Sequence, residues 1–193
     1  MNIKEKVQEY QNKHPVNCPW PSVISDHEAL LFLIEKYNVK MLFEFGTWQG
    51  HTTQMMAECS NVEKIYTLDV HNNLDISYTH ASHGLSPIEN YGKFITSKKV
   101  EQIFHDSMTY KPNKEVDMVF VDANHDYTHV KNDTELALKM NPKVIAWHDY
   151  HSPGNPGVEQ YIDELIKNGY DIKVYPNSIV AYVDVINGVM VIK

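Results

Sequence analysis

Cysteine is scarce in this chain. Only Cys18 and Cys59 are present, far apart and without metal-ligand spacing, which excludes a disulfide scaffold and a thiolate zinc site and fits a reducing compartment. Positive charge is short as well: 17 Lys and Arg against 25 Asp and Glu give a net charge of −8. The basic residues are scattered, with only Lys98-Lys99 adjacent, so the electrostatic footprint expected of a nucleic-acid or anionic-membrane partner is missing. No apolar run approaches the roughly 20 residues of a membrane span. Met1-Asn2-Ile3-Lys4-Glu5-Lys6 has no signal-peptide core, and a cytoplasmic location is the expectation. Among the histidines, His71, His80, His83, His148 and His151 form no i, i+4 ligand pair, which weighs against a dedicated zinc site. Internal repeats and low-complexity tracts are absent.

What is there centres on Phe43-Glu44-Phe45-Gly46-Thr47-Trp48-Gln49-Gly50-His51-Thr52-Thr53. An apolar run ends in an acid and two glycines, and a helical pattern follows from His51 to Ser60: strand, tight turn, helix. Glycine lets the backbone turn and lets a ligand approach it, and a helix start offers unpaired N–H groups. The dinucleotide signature G-x-G-x-x-G is not present. The turn has Glu44-x-Gly46-x-x-x-Gly50, and a carboxylate there would repel phosphate and attract a cationic amine. The expected ligand is a nucleoside carrying an amino acid. Downstream, Ile65-Tyr66-Thr67-Leu68-Asp69 ends a second apolar run in a carboxylate, at about the distance where a Rossmann-like unit places its ribose acceptor.

This turn resembles the first motif of the class I S-adenosylmethionine-dependent methyltransferases. The resemblance implies a three-layer α/β/α Rossmann-like fold with a mostly parallel seven-stranded sheet and a C-terminal antiparallel hairpin. It implies S-adenosylmethionine as cofactor, with Glu44, Gly46, Thr47, Gly50, Asp69, Asp106, Ser107 and Asp122 lining its site. Asp122-x-Asn124-His125-x-Tyr127, followed by Ala146-Trp147-His148-Asp149-Tyr150 and Pro156-Gly157-Val158, is similar to one branch: the macrolide and aminocoumarin sugar O-methyltransferases and the cephalosporin hydroxylase-like proteins. The likeness covers roughly residues 40 to 165. Metal-dependent members carry further acids where this chain has Asn124 and His148, and the imidazole changes the ligand set. The implied reaction is O-methylation of a small polar acceptor such as a sugar. Asp122, His148 and Asp149 are candidate ligands for a divalent metal, Mg²⁺ or Mn²⁺. His125, with Asp122 and Asp149, is the candidate catalytic group, since an imidazole titrates near neutrality. A non-catalytic methyltransferase-like binding domain and a different metal-assisted reaction are the alternatives, and a homo-oligomer is left open.

The length of 193 residues suits one domain over residues 1–193. Residues 1–24 form an arm or cap, with a short helix Ile3 to Lys13 and a proline-stiffened segment. Ser25 or Asp26 is expected to cap a helix running to about Tyr37. Strands are expected at Lys40 to Phe45, Lys64 to Asp69, Val100 to Phe104, Val116 to Val121, Lys143 to Trp147, Tyr170 to Tyr175 and Ser178 to Asp184, and the tail Val189 to Ile192 could add a last one. Helices are expected at Glu89 to Ser97, Tyr127 to Met140 and Val158 to Asn168. Residues 70 to 94, polar, aromatic and aperiodic, form a candidate lid over the site.

Overall fold

A computed structural model describes residues 2–13, 23–71 and 88–193. Cys18, Tyr78, His80, His83 and most of the candidate lid lie outside them.

Five strands make the parallel part of one sheet: β1 (Met41–Phe45), β2 (Lys64–Asp69), β3 (Val100–Phe104), β4 (Met118–Val121) and β5 (Val144–Trp147). β6 (Lys173–Val174) and β7 (Ala181–Ile186) form the antiparallel hairpin, and β8 (Val189–Met190) pairs with β7. The order is β3-β2-β1-β4-β5-β7-β6, with β7 antiparallel to β5. This is the Rossmann-like methyltransferase sheet. From β1 the crossovers step one way to β2 and β3 and then the other way to β4 and β5, so the strand order switches between β1 and β4, the place where open α/β sheets bind ligands beyond their strand ends.

Side-chain alternation divides the core into two layers. Phe43, Phe45, Val119, Val121, Ile145 and Trp147 face α4 (Tyr127–Lys139) and α5 (Pro156–Lys167). Leu42, Met118, Phe120, Val144 and Ala146 face α1 (Ile3–Lys13), α2 (Val23–Lys36) and α3 (His51–Ala57). β4 and β5 are buried along their whole length, as central parallel strands must be. No described helix is long and apolar enough to cross a membrane.

Two expectations change. Neither Ser25 nor Asp26 caps α2, which already begins at Val23; Asp26 instead turns its side chain into the protein, 3% exposed. The helix expected at Glu89 to Ser97 is a single 3₁₀ turn, Ile88–Asn90. Gly92 breaks it with φ of 67° and donates its N–H to the carbonyl of Trp48 at 2.6 Å, while Gln54 Oε1 accepts the N–H groups of Thr96 and Ser97. Several of the segment's N–H groups thus pair with the β1–α3 turn and with α3 rather than along a helix.

Trp147, fully buried at the end of β5, donates its indole N–H to Thr134 Oγ1 at 2.8 Å. Thr134→Val removes that acceptor at nearly constant volume. It should cost about 1–3 kcal/mol in chemical denaturation, and an unchanged midpoint would show that the bond contributes nothing.

Candidate active site at the strand ends

The turn from β1 into α3 is held by a carboxylate from the next strand. Asp69 Oδ2 accepts the N–H groups of Thr47 and Trp48 at 2.8 and 2.7 Å, and its Oδ1 accepts that of Val70 at 2.7 Å. Burial keeps the Asp69 pKa above the usual value, although these three N–H groups pull it down. The same turn forces Trp48 into a left-handed conformation, φ 41°, with its ring 60% exposed. Gly46 and Gly50 have φ of 96° and 84°. A Cβ at Gly46 would collide with the backbone carbonyl of Asp122, and one at Gly50 with the Ile95 side chain. Gly46 thus lets the turns after β1 and β4 pack backbone against backbone, and Gly50 makes room for Ile95.

Glu44 lies on the α3 side of β1, 1% exposed. Its Oε2 accepts the hydroxyls of Thr53 at 2.5 Å and Thr67 at 2.6 Å, and Thr67 is linked in turn to the buried Thr47 hydroxyl at 2.7 Å. Burial pushes the Glu44 carboxyl up to about 8, so its ordinary form at neutral pH is protonated. Asp106 and Ser107, both buried, follow β3. Asp106 Oδ1 accepts the N–H of Met108, and the carbonyl of Ser107 accepts from Asn132 Nδ2.

Beyond β4 and β5, paired through Val121 and Trp147, Asp122, His125, His148 and Asp149 come together. His125 Nε2 is 2.9 Å from Asp149 Oδ2 and 3.7 Å from Asp122 Oδ1. His148 Nδ1 is 3.3 Å from Asp122 Oδ1 and 3.5 Å from Asp149 Oδ1. One ligand atom each from Asp122, His148 and Asp149 lies within 4.8 Å of the others, an arrangement able to hold a metal ion. Asp149 faces this group through a left-handed turn, φ 64°, which Asp tolerates better than most residues. Tyr150 anchors the turn by donating its hydroxyl to Asp163 on α5. Asn124 Oδ1 accepts the N–H of Asp126, shaping the turn that presents His125. Pro156-Gly157 brings the start of α5 so close that a Cβ on Gly157 would collide with the His125 carbonyl.

The charges are mutually dependent. Burial alone would raise Asp122, but His148 and His125 outweigh it and lower its pKa; Asp149 is lowered for the same reason. Burial disfavours charge on both imidazoles, yet the two carboxylates raise His125 to about 9 and His148 well above its usual value. Composition could not reveal one member of this network. Asp26 Oδ2 on α2 is 3.3 Å from His148 Nε2, across 122 residues of sequence.

Glu44 generates a pH test. Its folded pKa is raised, so its contribution is fully present below about pH 4.5 and is lost as pH rises through about 8. Buried Asp133, raised to about 7, adds a slope of the same sign. Glu44→Gln should flatten the fall in stability between pH 5 and 8 in denaturant titrations, leaving the parts due to Asp133, Asp69 and the raised His125 and His148. A slope equal to the parent's would contradict a buried, protonated Glu44.

Comparison with known proteins agrees with this fold. Among curated proteins, none matches the sequence. Among solved structures, the chain is similar to the SAH-bound methyltransferase PaMTH1 of Podospora anserina, with 16% identity and a TM-score of 0.61 over 98% of this chain and 88% of that one. It is similar to the O-methyltransferase from Bacillus cereus in complex with SAH, at 17% identity and TM-score 0.54 over 95% and 90%. The N-methyltransferase NodS of Bradyrhizobium japonicum WM9 gives 14% and 0.57 over 85% and 95%. At such identities these likenesses speak for the fold. A family model described as a methyltransferase domain matches residues 43–150, from β1 through the His148-Asp149-Tyr150 turn and more than half of the chain. The chain belongs to that methyltransferase domain family, among the class I S-adenosylmethionine-dependent methyltransferases.

Proposed function

We propose that the protein moves a methyl group from S-adenosylmethionine to a hydroxyl of a small polar acceptor, a sugar being the favoured class, with a divalent metal at Asp122, His148 and Asp149. The observation that carries this reading is the convergence of those three side chains beside the glycine turn: the Asp122 backbone packs on Gly46, and its carboxylate belongs to the metal-competent group. The donor chemistry fits a cation, since two carboxylates and an imidazole are gathered where side chains keep 13–28% of their surface exposed. Carboxylates suit Mg²⁺, and the imidazole shifts preference toward Mn²⁺ or a later ion. Bound there, such an ion would lower the pKa of an acceptor hydroxyl.

Glu44, Gly46, Thr47, Gly50, Asp69, Asp106, Ser107 and Asp122 are assigned to the cofactor side, and the geometry supports the assignment by grouping them at the ends of β1 to β4. Asp69 is the ribose acceptor in this reading, and its hold on the Thr47 and Trp48 N–H groups keeps the turn in place. In the transfer, the sulfonium C–S bond breaks as the acceptor O–C bond forms. The acceptor proton passes to His125 in its neutral form, and S-adenosylhomocysteine leaves; Asp122 and Asp149 keep this imidazole protonated at neutral pH in the metal-free protein, and a cation on the two carboxylates would lower its pKa and free it to accept. Such a displacement needs alignment above all. The sugar preference rests on the resemblance of the Asp122-to-Tyr127 and His148-to-Tyr150 segments, and O-methylation is supported by the likeness to the Bacillus cereus O-methyltransferase. The excess of acid over base, net −8, weighs against a polyanionic acceptor.

Titration calorimetry with S-adenosylmethionine should give saturable heat for the parent chain and at least about tenfold weaker binding for Asp69→Ala, which frees three N–H groups. No heat from the parent would remove the methyltransferase activity and leave the binding-domain alternative. With a polyhydroxylated acceptor that is turned over, His125→Ala should lower the rate of S-adenosylhomocysteine release by about 10²–10⁴ and leave cofactor affinity unchanged. Full turnover in that variant would exclude His125 as the proton acceptor.

A further inference from the structure

His148 has a carboxylate at each of its nitrogens. Its Nδ1 faces Asp122 and Asp149, and its Nε2 lies 3.3 Å from Asp26 Oδ2. Asp26 cannot swing away. Its Oδ1 accepts the Ser178 hydroxyl at 2.7 Å and the Ile179 N–H at 3.2 Å, tying α2 to the chain that leads into β7. The His148 backbone is equally fixed, its N–H donating to the Val121 carbonyl at 3.1 Å, while Tyr150 N–H donates to the Ile179 carbonyl at 3.0 Å. The ring of Phe120 stands edge-on to the imidazole, with centroids 6.2 Å apart.

An ionised carboxylate only accepts hydrogen bonds, so the nitrogen beside Asp26 must carry hydrogen. In the neutral imidazole the lone pair then falls on Nδ1, aimed between two carboxylates. A lone pair in that place is repelled unless a proton or a cation stands in front of it. Carboxylate, imidazole and metal in sequence are the usual way a ligating histidine is held in one tautomer and made a better donor.

We propose that Asp26 is a positioning residue that makes His148 Nδ1 the nitrogen ligand of a divalent cation shared with Asp122 and Asp149, biasing that site toward Mn²⁺ over Mg²⁺. The proposal rests on the metal reading above and adds to it which atom binds, what orients it and which ion is preferred. Asp26→Asn is the discriminating change. An amide can still accept from Ser178 and Ile179, but its NH₂ can donate to Nε2 and so move the imidazole hydrogen to Nδ1, where it blocks ligation.

Calorimetry on untagged, metal-stripped protein should show Mn²⁺ binding more tightly than Mg²⁺ in the parent chain, and Asp26→Asn should weaken Mn²⁺ by about 10- to 100-fold. Ser178→Ala, which loosens the tie to α2 but keeps the carboxylate, should lower the melting temperature of the metal-free protein and hold Mn²⁺ affinity within a few-fold. Parent binding that is unchanged in a folded Asp26→Asn overturns the positioning role and leaves the metal reading standing, as does Mg²⁺ binding as tightly as Mn²⁺ for the ion preference. No Mn²⁺ or Mg²⁺ binding by the parent removes the metal and this proposal with it. If Asp26→Asn does not fold, ¹⁵N-histidine spectra of the parent with Zn²⁺ decide. Nδ1 bound with Nε2 protonated supports the proposal; ligation through Nε2, or an unligated imidazolium, overturns it.

Discussion

Two carboxylates, Asp122 and Asp149, stand just beyond neighbouring strands and cannot share so small a space unless positive charge lies with them. The architecture around them answers that constraint from four directions. β4 and β5, buried on both faces, fix the spacing of the strand ends. The Asn124 turn and the close start of α5 present His125, and α2 presents Asp26 to the far nitrogen of His148. Removing any one partner would leave a half-buried charge uncompensated, which is far more costly than losing an exposed ion pair.

The neighbouring β1–α3 turn depends on the same economy of groups. Asp69 gathers three backbone N–H groups, two of them from the β1–α3 turn. Glu44 is neutralised in place and bound by two threonine hydroxyls. Because Gly46 seats the Asp122 backbone, the β1–α3 turn and the carboxylate–imidazole group are packed directly against each other. A methyl transfer, which depends on the alignment of two bound molecules, is well served by such a join.

Much of this was legible beforehand where one residue pattern decides one local structure. Apolar runs ending in an acid located β1 and β2 nearly to the residue, and the Pro176-Asn177 turn located the β6–β7 hairpin. Asp122, His148 and Asp149 were legible as a set only through a family resemblance that supplies the pairing of β4 with β5. The residues missed are those whose role is set by distant partners. Gly92 ended a helix that local pattern favoured, since the carbonyl of Trp48 offered its N–H a better partner. Glu44 looked like a free charge at a turn until strand alternation placed it against Thr53 of α3. Asp26 looked like a helix cap, and nothing near it in sequence indicates Ser178 or His148.

The central claim is that the gathered carboxylates and imidazoles form a cation site beside the cofactor turn. Anomalous diffraction from crystals grown with Mn²⁺ and S-adenosylhomocysteine tests it most directly. The account predicts one strong anomalous peak bounded by Asp122, His148 and Asp149, with the cofactor product lying against the β1–α3 turn. A cofactor product in that place with no peak among the three side chains, and His125 and His148 still paired to the carboxylates, would contradict it.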